Sequence, residues 1–307
     1  MDVLVTGGTG FIGTALCREL DERGQDVTAL SRSPTDDGLP SSVETVVGDV
    51  TDYDSIESAL DGVDIVVNLV ALSPLFKPSG GDEMHEAIHV RGTENVVRAA
   101  EKHDLDAVVQ LSALGADPEG PTAYIRSKGR AEGIVRDADL EWTIFRPSVV
   151  FGEGGEFVRF TKMLTTPYVT ALPGGGKTRF QPIYRGELVD MLATAVEDDS
   201  HRNEVYEIGG PEVLSLADVT ELVYRAEGRS VSVFSVPMSL AGLGLSLADP
   251  LPFVPFGTDQ IRSLRLDNVP ANNDVDAFDR AESSLTSLGE FLGIEKTTPD
   301  DSTDRAD

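Results

Sequence analysis

The sequence predicts an α/β fold, a doubly wound parallel sheet with a smaller C-terminal α/β region. Short apolar runs alternate with helix-period segments from Met1 to Arg146, the pattern of strands covered on both faces by crossover helices. The chain opens as strand, glycine turn and helix, with Met1-Asp2-Val3-Leu4-Val5 running into Thr6 to Gly13 and then Thr14 to Leu20. Beyond Arg146-Pro147 the alternation loosens into glycine-rich turns such as Gly152-Glu153-Gly154-Gly155 and Gly174-Gly175-Gly176.

In the opening turn Gly7 makes the tight bend, Gly10 lets backbone N–H groups approach a diphosphate, and Gly13 allows close helix packing. The helix that follows offers unpaired N–H groups and a positive dipole end, so Gly7, Gly10, Phe11, Ile12 and Gly13 are expected dinucleotide contacts. Asp26 to Leu30 reads as a second strand ending in Ser31-Arg32. An acid there would bind the ribose hydroxyls of NAD; a serine followed by a guanidinium suits a 2′-phosphate, which favours NADP with NAD as the alternative. Val43 to Val47 reads as a third strand leading into Gly48-Asp49-Val50, Asp54 to Leu60 as a short helix, and Val63 to Val70 as a fourth strand. Met84 to Lys102 has helical period, Ala107 to Ser112 is a fifth strand, Thr122 to Ala138 a helix and Trp142 to Arg146 a sixth strand. Each motif falls at the carboxyl end of a strand, where such sheets bind ligands.

Composition narrows the function classes. With 53 Asp and Glu against 25 Lys and Arg, the net charge of −28 repels a nucleic-acid backbone. Because the acids are spread along the chain, the expectation is adaptation to a salty interior rather than an acidic docking face. The single cysteine, Cys17, fits a reducing compartment and reads as helix packing. No basic segment precedes an apolar run at the N-terminus, so a cytoplasmic location is expected. Ser239 to Ala248 is apolar but too short to span a bilayer and reads as a lid or partner-facing helix. From Glu295 onward the composition is that of a disordered tail.

Two motifs resemble sites without the means to be them. His85-Glu86-Ala87-Ile88-His89 matches the zinc-protease spacing, but Asn95 stands where the third ligand would be, so no metal is expected. Gly176-Lys177-Thr178 ends like a phosphate-binding loop, yet Ala171 replaces its first glycine. Tyr124 and Lys128, four apart on a predicted helix, share one face. An ammonium near a phenol favours the phenolate, which would bring Tyr124 toward proton exchange at neutral pH. Ser112, at the end of the preceding strand, completes the candidate catalytic set.

Together these residues resemble the short-chain dehydrogenase/reductase superfamily, in its extended or atypical branch of NAD-dependent epimerases and dehydratases. The resemblance rests on Thr6 to Gly13, Gly48-Asp49-Val50, Gly92-Thr93-Glu94-Asn95, Tyr124 with Lys128, and Arg146 to Gly152. Leu111 to Ala116, Tyr124 to Gly129, Asp259-Gln260-Ile261 and Leu266-Asp267-Asn268-Val269 are most similar to relatives of the nucleotide-binding accessory subunit of respiratory complex I. The resemblance implies that Asp49 and Val50 hold the adenine, that Val70, Ala71 and Pro147 line the cofactor, that Lys128 binds the nicotinamide ribose and that Tyr124 is the acid or base. His89 stands where many relatives have an asparagine, which puts the usual proton relay in doubt. Arg179 is placed like the arginine that contacts nucleotide-sugar phosphates, although Phe180-Gln181-Pro182 follows it.

The expected organisation is a Rossmann NAD(P)-binding domain over 1–150, a smaller substrate-binding region over 151–292, with part of 179–210 a candidate to return to the sheet, and a disordered acidic tail over 293–307. Two function classes stand: an NAD(P)-dependent oxidoreductase or epimerase acting on a small molecule, a sugar nucleotide among the candidates, and an accessory subunit that holds NADPH without turning it over. The sequence does not indicate the oligomeric state.

Overall fold

A computed structural model describes residues 1–34, 38–237 and 258–294. The expected apolar segment Ser239 to Ala248 and the tail from Glu295 lie outside the described residues. Seven strands form the central sheet: β1 (Asp2–Thr6), β2 (Asp26–Ser31), β3 (Glu44–Val47), β4 (Ile65–Asn68), β5 (Ala107–Leu111), β6 (Glu141–Pro147) and one supplied later in the chain. Three small pairs precede or follow that last strand: β7 (Val150–Phe151) with β10 (Ile183–Tyr184), β9 (Arg179–Phe180) with β12 (Leu214–Ser215), and β8 (Tyr168–Pro173) with β13 (Val231–Val236). The seventh strand of the large sheet is β11 (Glu204–Ile208), beside β6.

The order is β11-β6-β5-β4-β1-β2-β3, with every pairing parallel. The chain winds outward from β1 to β3, returns to β4 and winds the other way, so the crevice between the ends of β1 and β4 is the place for a ligand. Alternation along the strands builds two cores: Val3, Val5, Ile65, Val67, Ala107 and Val109 face one side, and Leu4, Val66 and Val108 the other. The helix Gly13–Glu22 covers the first face together with the helix Arg185–Glu197, through Leu16, Leu20, Leu188 and Leu192. The second face is closed by Val96, Val97 and Ala100 of the 83–102 helix and by Val135 of the helix Ala123–Arg136.

Residues beyond 150 are shared between two units. Ile183, Leu188 to Val196, Tyr206, Ile208, Val275, Phe278 and Leu285 belong to the sheet core, while Phe151, Phe157, Phe180, Leu216, Val219 and Leu288 form a third core beside β6. A π-helical stretch, Glu86–Arg91, interrupts the helix predicted from Met84 to Lys102; such insertions re-aim side chains and recur at functional sites. Asp54 to Leu60 divides into an α-turn, Tyr53–Ile56, and a 3₁₀ turn, Glu57–Leu60.

Candidate functional site

A cavity of about 990 Å³ crosses the carboxyl ends of the strands, and all the expected contacts line it: Gly7, Gly10, Phe11, Ile12, Gly13, Arg32, Asp49, Val50, Val70, Ala71, Ser112, Tyr124, Lys128 and Pro147. The glycine turn forms because bulk is impossible there. Gly7 has φ +75°, and a Cβ on Gly13 would lie 2.1 Å from the Gly7 carbonyl oxygen. Gly13 therefore packs against the turn itself. It is Gly8, whose Cβ would come within 2.7 Å of Ala29 Cβ, that brings the turn down onto β2. The N–H groups of Gly7 and Gly8 donate to Leu30 O at 2.8 and 3.3 Å, which fixes the turn to the sheet.

At the ends of β2 and β3, Arg32 is exposed on the cavity rim and has no ion-pair partner among the described residues. Ser31 Oγ is buried and unpartnered among the described residues. The Asp49 carboxylate serves its own loop, accepting from Thr51 N and Oγ1 at 2.9 and 2.8 Å. Asn95 Nδ2 donates to Val50 O at 2.8 Å, and Gly92 leaves room for Val50 Cγ2; the Gly92 to Asn95 motif thus anchors this wall. Beneath the switch point Thr6 Oγ1 donates to Asn68 Oδ1 at 2.7 Å, and Asn68 Nδ2 donates to Gln110 Oε1 at 2.9 Å. This buried chain fixes the ends of β1, β4 and β5 relative to one another.

Tyr124 and Lys128 lie on the helix Ala123–Arg136, whose start is capped twice. Thr122 Oγ1 accepts from Ile125 N at 3.2 Å, and Asp259 Oδ2 from Ala123 N at 2.7 Å. Lys128 is 1% exposed and its Nζ donates to Leu111 O at 2.8 Å. Burial pushes its amine down to about 8, against the pull of Glu132. The expectation that Lys128 draws the Tyr124 phenol toward neutral pH is corrected: burial instead pushes the phenol up. The ammonium is held by the Leu111 carbonyl, and the phenol's lost hydration dominates.

Two histidines frame the tyrosine ring. His85 and His89 meet it edge-on, with centroids 5.7 and 5.5 Å away. His89 Nε2 accepts from Leu72 N at 3.0 Å. Ser127 Oγ donates to Tyr124 O at 2.8 Å, so its partnership with His89 Nδ1 at 2.8 Å makes Nδ1–H the donor. The ring is thus neutral, and burial pushes it down to about 2. The hydrogen-bond chain through position 89 ends on a backbone carbonyl. No lone pair of His89 is left for a metal.

Ser112 has a hydrogen-bond partner outside the expected catalytic set. It lines the cavity, and its hydroxyl donates to Glu132 Oε1 at 2.6 Å. Glu132 is 2% exposed and is gripped by Arg146 through Nε at 2.8 Å and Nη2 at 2.6 Å, and by Arg136 at 3.0 Å. A buried carboxylate clamped by two guanidiniums is a strong acceptor, and it holds the Ser112 hydroxyl.

The sequence profile of the NAD(P)H-binding family matches residues 7–168, a span that contains the glycine turn, the cavity's strand ends and the Tyr124 helix. The chain belongs to the NAD(P)H-binding family. Its relatives include the mitochondrial NADH dehydrogenase [ubiquinone] 1 alpha subcomplex subunit 9 of Arabidopsis thaliana, 28% identical over 88% of this chain and 71% of the relative. A 3 beta-hydroxysteroid dehydrogenase/Delta 5→4-isomerase of Mycobacterium tuberculosis is 29% identical over 74% of this chain and 70% of its own length. Among solved structures, MoeE5 in complex with UDP-glucose and NAD shares the fold, with TM-score 0.64 and 23% identity over 77% of this chain and 86% of that one.

The NAD(P)H-binding family thus supplies a nucleotide end that was legible in the sequence, whereas the surroundings of Tyr124 were not. Glu132 and Arg136 continue the four-residue ladder from Tyr124 and Lys128, a signal that could have exposed the carboxylate behind Ser112. Nothing local pairs His89 with Leu72, or Asp259 with Ala123. Arg179 donates through Nε and Nη2 to Asp267 Oδ2 at 2.9 and 2.7 Å and is absent from the cavity wall among the described residues. Asn268 ties the loop after β6 to β9, accepting from Val149 N at 2.8 Å and donating its N–H to Arg179 O at 2.7 Å. Among the described residues no helix is long and apolar enough to cross a membrane.

Proposed function

We propose that this chain is an NADP-preferring oxidoreductase or epimerase of the short-chain dehydrogenase/reductase type, with Tyr124 as proton donor and Lys128 on the nicotinamide ribose. The observation that carries the reading is the Tyr124 and Lys128 pair on the wall of the same cavity as the glycine turn. The residues fit a dinucleotide: the turn at Gly7 to Gly13 cannot hold a side chain at Gly13, and the orphaned Ser31 Oγ is a group that a ribose hydroxyl would satisfy. When bound, the nicotinamide supplies or accepts a hydride. The turn would take the diphosphate at the helix start, and Arg32 the 2′-phosphate. Because burial keeps the phenol protonated at neutral pH, Tyr124 donates its proton to a substrate oxygen, which favours carbonyl reduction as the direction of turnover.

The test is Tyr124→Phe. Turnover of NADPH with carbonyl compounds should fall about 10² to 10⁴-fold with cofactor affinity unchanged; full activity in the variant overturns the assignment. A second reading, a subunit that holds NADPH without using it, is favoured by one observation: the Ser112 hydroxyl is committed to Glu132. It gains ground if the wild-type chain binds NADPH and no carbonyl compound oxidises it.

A further inference from the structure

The sheet order sets a chemical gradient along the cavity. The ends of β2 and β3 supply polar walls with Ser31, Arg32 and Asp49, while the segment after β4, the 83–102 helix and the third core supply Leu72, Leu75, Met84, Ile88 and Phe157, and Leu266 adds a partly exposed apolar side chain. The charged residues on this second side are Glu156, Arg265 and Asp267, which offer no excess of positive charge. The nearby cation that could change that balance, Arg179, is held by Asp267 through both Nε and Nη2.

A nucleotide sugar would bring its diphosphate to a wall with no surplus guanidinium, since Arg265 is offset by Glu156 and Arg179 by Asp267, in a chain of net charge −28. An apolar body would meet side chains that gain from covering it. We propose that the substrate end of the cavity takes an apolar carbonyl compound with an aliphatic body, not a nucleotide sugar. The identity of the reacting group as a carbonyl rests on the Tyr124 reading above; the apolar body rests on the walls alone.

The experiment is calorimetry on the full chain saturated with NADP⁺, so that no turnover intervenes, using 2-alkanones from 2-hexanone to 2-decanone and, separately, UDP-glucose. Affinity should rise about threefold to fourfold per added methylene, and UDP-glucose should give no binding heat. Leu266→Asp, at a position 39% exposed and therefore tolerant of a charge, should weaken 2-decanone about tenfold or more while NADP⁺ affinity stays the same. UDP-glucose binding as tightly as 2-decanone, or an affinity independent of chain length, overturns the proposal. Ketones that bind with the expected slope but never oxidise NADPH refute the Tyr124 reading and leave this proposal standing. Turnover with UDP-sugars alone does the reverse.

Discussion

Replacing Lys128 by methionine should make the protein more stable at neutral pH while weakening its hold on the cofactor. Burial pushes the Lys128 amine from 10.5 down to about 8, which corresponds to about 3 kcal/mol of desolvation cost in the folded state. Below pH 8 the amine is charged in folded and unfolded chains alike, and the folded state carries the whole cost. Between pH 8 and 10.5 the unfolded chain still holds a proton that the folded chain has released, so the wild type gains stability as pH rises through that window. Methionine has a similar shape and no charge, and it loses the bond from Nζ to Leu111 O, about 1 kcal/mol. That carbonyl is not orphaned, because Gln110 Nε2 donates to it at 3.2 Å. Lys128→Met should therefore gain about 2 kcal/mol at pH 7, from the balance of these terms, and lose the advantage by pH 10.5. Urea denaturation of both proteins at pH 7 and pH 10.5 reads the difference, and calorimetry with NADPH should show affinity down about tenfold or more. A variant less stable than wild type at pH 7, or a gap that ignores pH, refutes the reasoning.

Three further outcomes follow from other parts of the molecule. Arg32→Ala should remove a preference for NADP(H) over NAD(H) of about tenfold to a hundredfold, the worth of one charge-assisted phosphate contact; titration of both cofactors checks it, and unchanged binding of both counts against Arg32. Arg146→Met leaves the 2%-exposed Glu132 with Arg136 and the Ser112 hydroxyl and should cost about 3 kcal/mol in urea denaturation, whereas a loss under about 1 kcal/mol would show the clamp to be unimportant. Like-charge repulsion in a chain of net charge −28 should lower the melting temperature as salt falls from about 1 M to about 0.01 M, and a flat profile would argue against a salt-adapted origin.

The sequence by itself determined the sheet and its nucleotide end. Strands buried on both faces leave continuous apolar runs, and a strand-to-helix turn too tight for side chains leaves glycines, so β1 to β6 and the turn at Gly7 to Gly13 are written in local pattern. The spacing of Tyr124 and Lys128 placed them on one helix face, because four residues make about one turn. Tertiary structure decided what those side chains experience. Whether the phenol is pulled down by an ammonium or pushed up by burial depends on where Nζ is held, and Leu111 O lies 17 residues away in sequence. The Ser112 hydroxyl is held by Glu132, which Arg146 grips, and the Tyr124 helix is capped by Asp259, 136 residues from Ala123. Likewise β11 completes the sheet from beyond the sixth strand, since its partner is chosen by a shared core. Local pattern records backbone geometry and burial period; proton affinity and hydroxyl direction are set by neighbours that only the folded chain brings within hydrogen-bond reach.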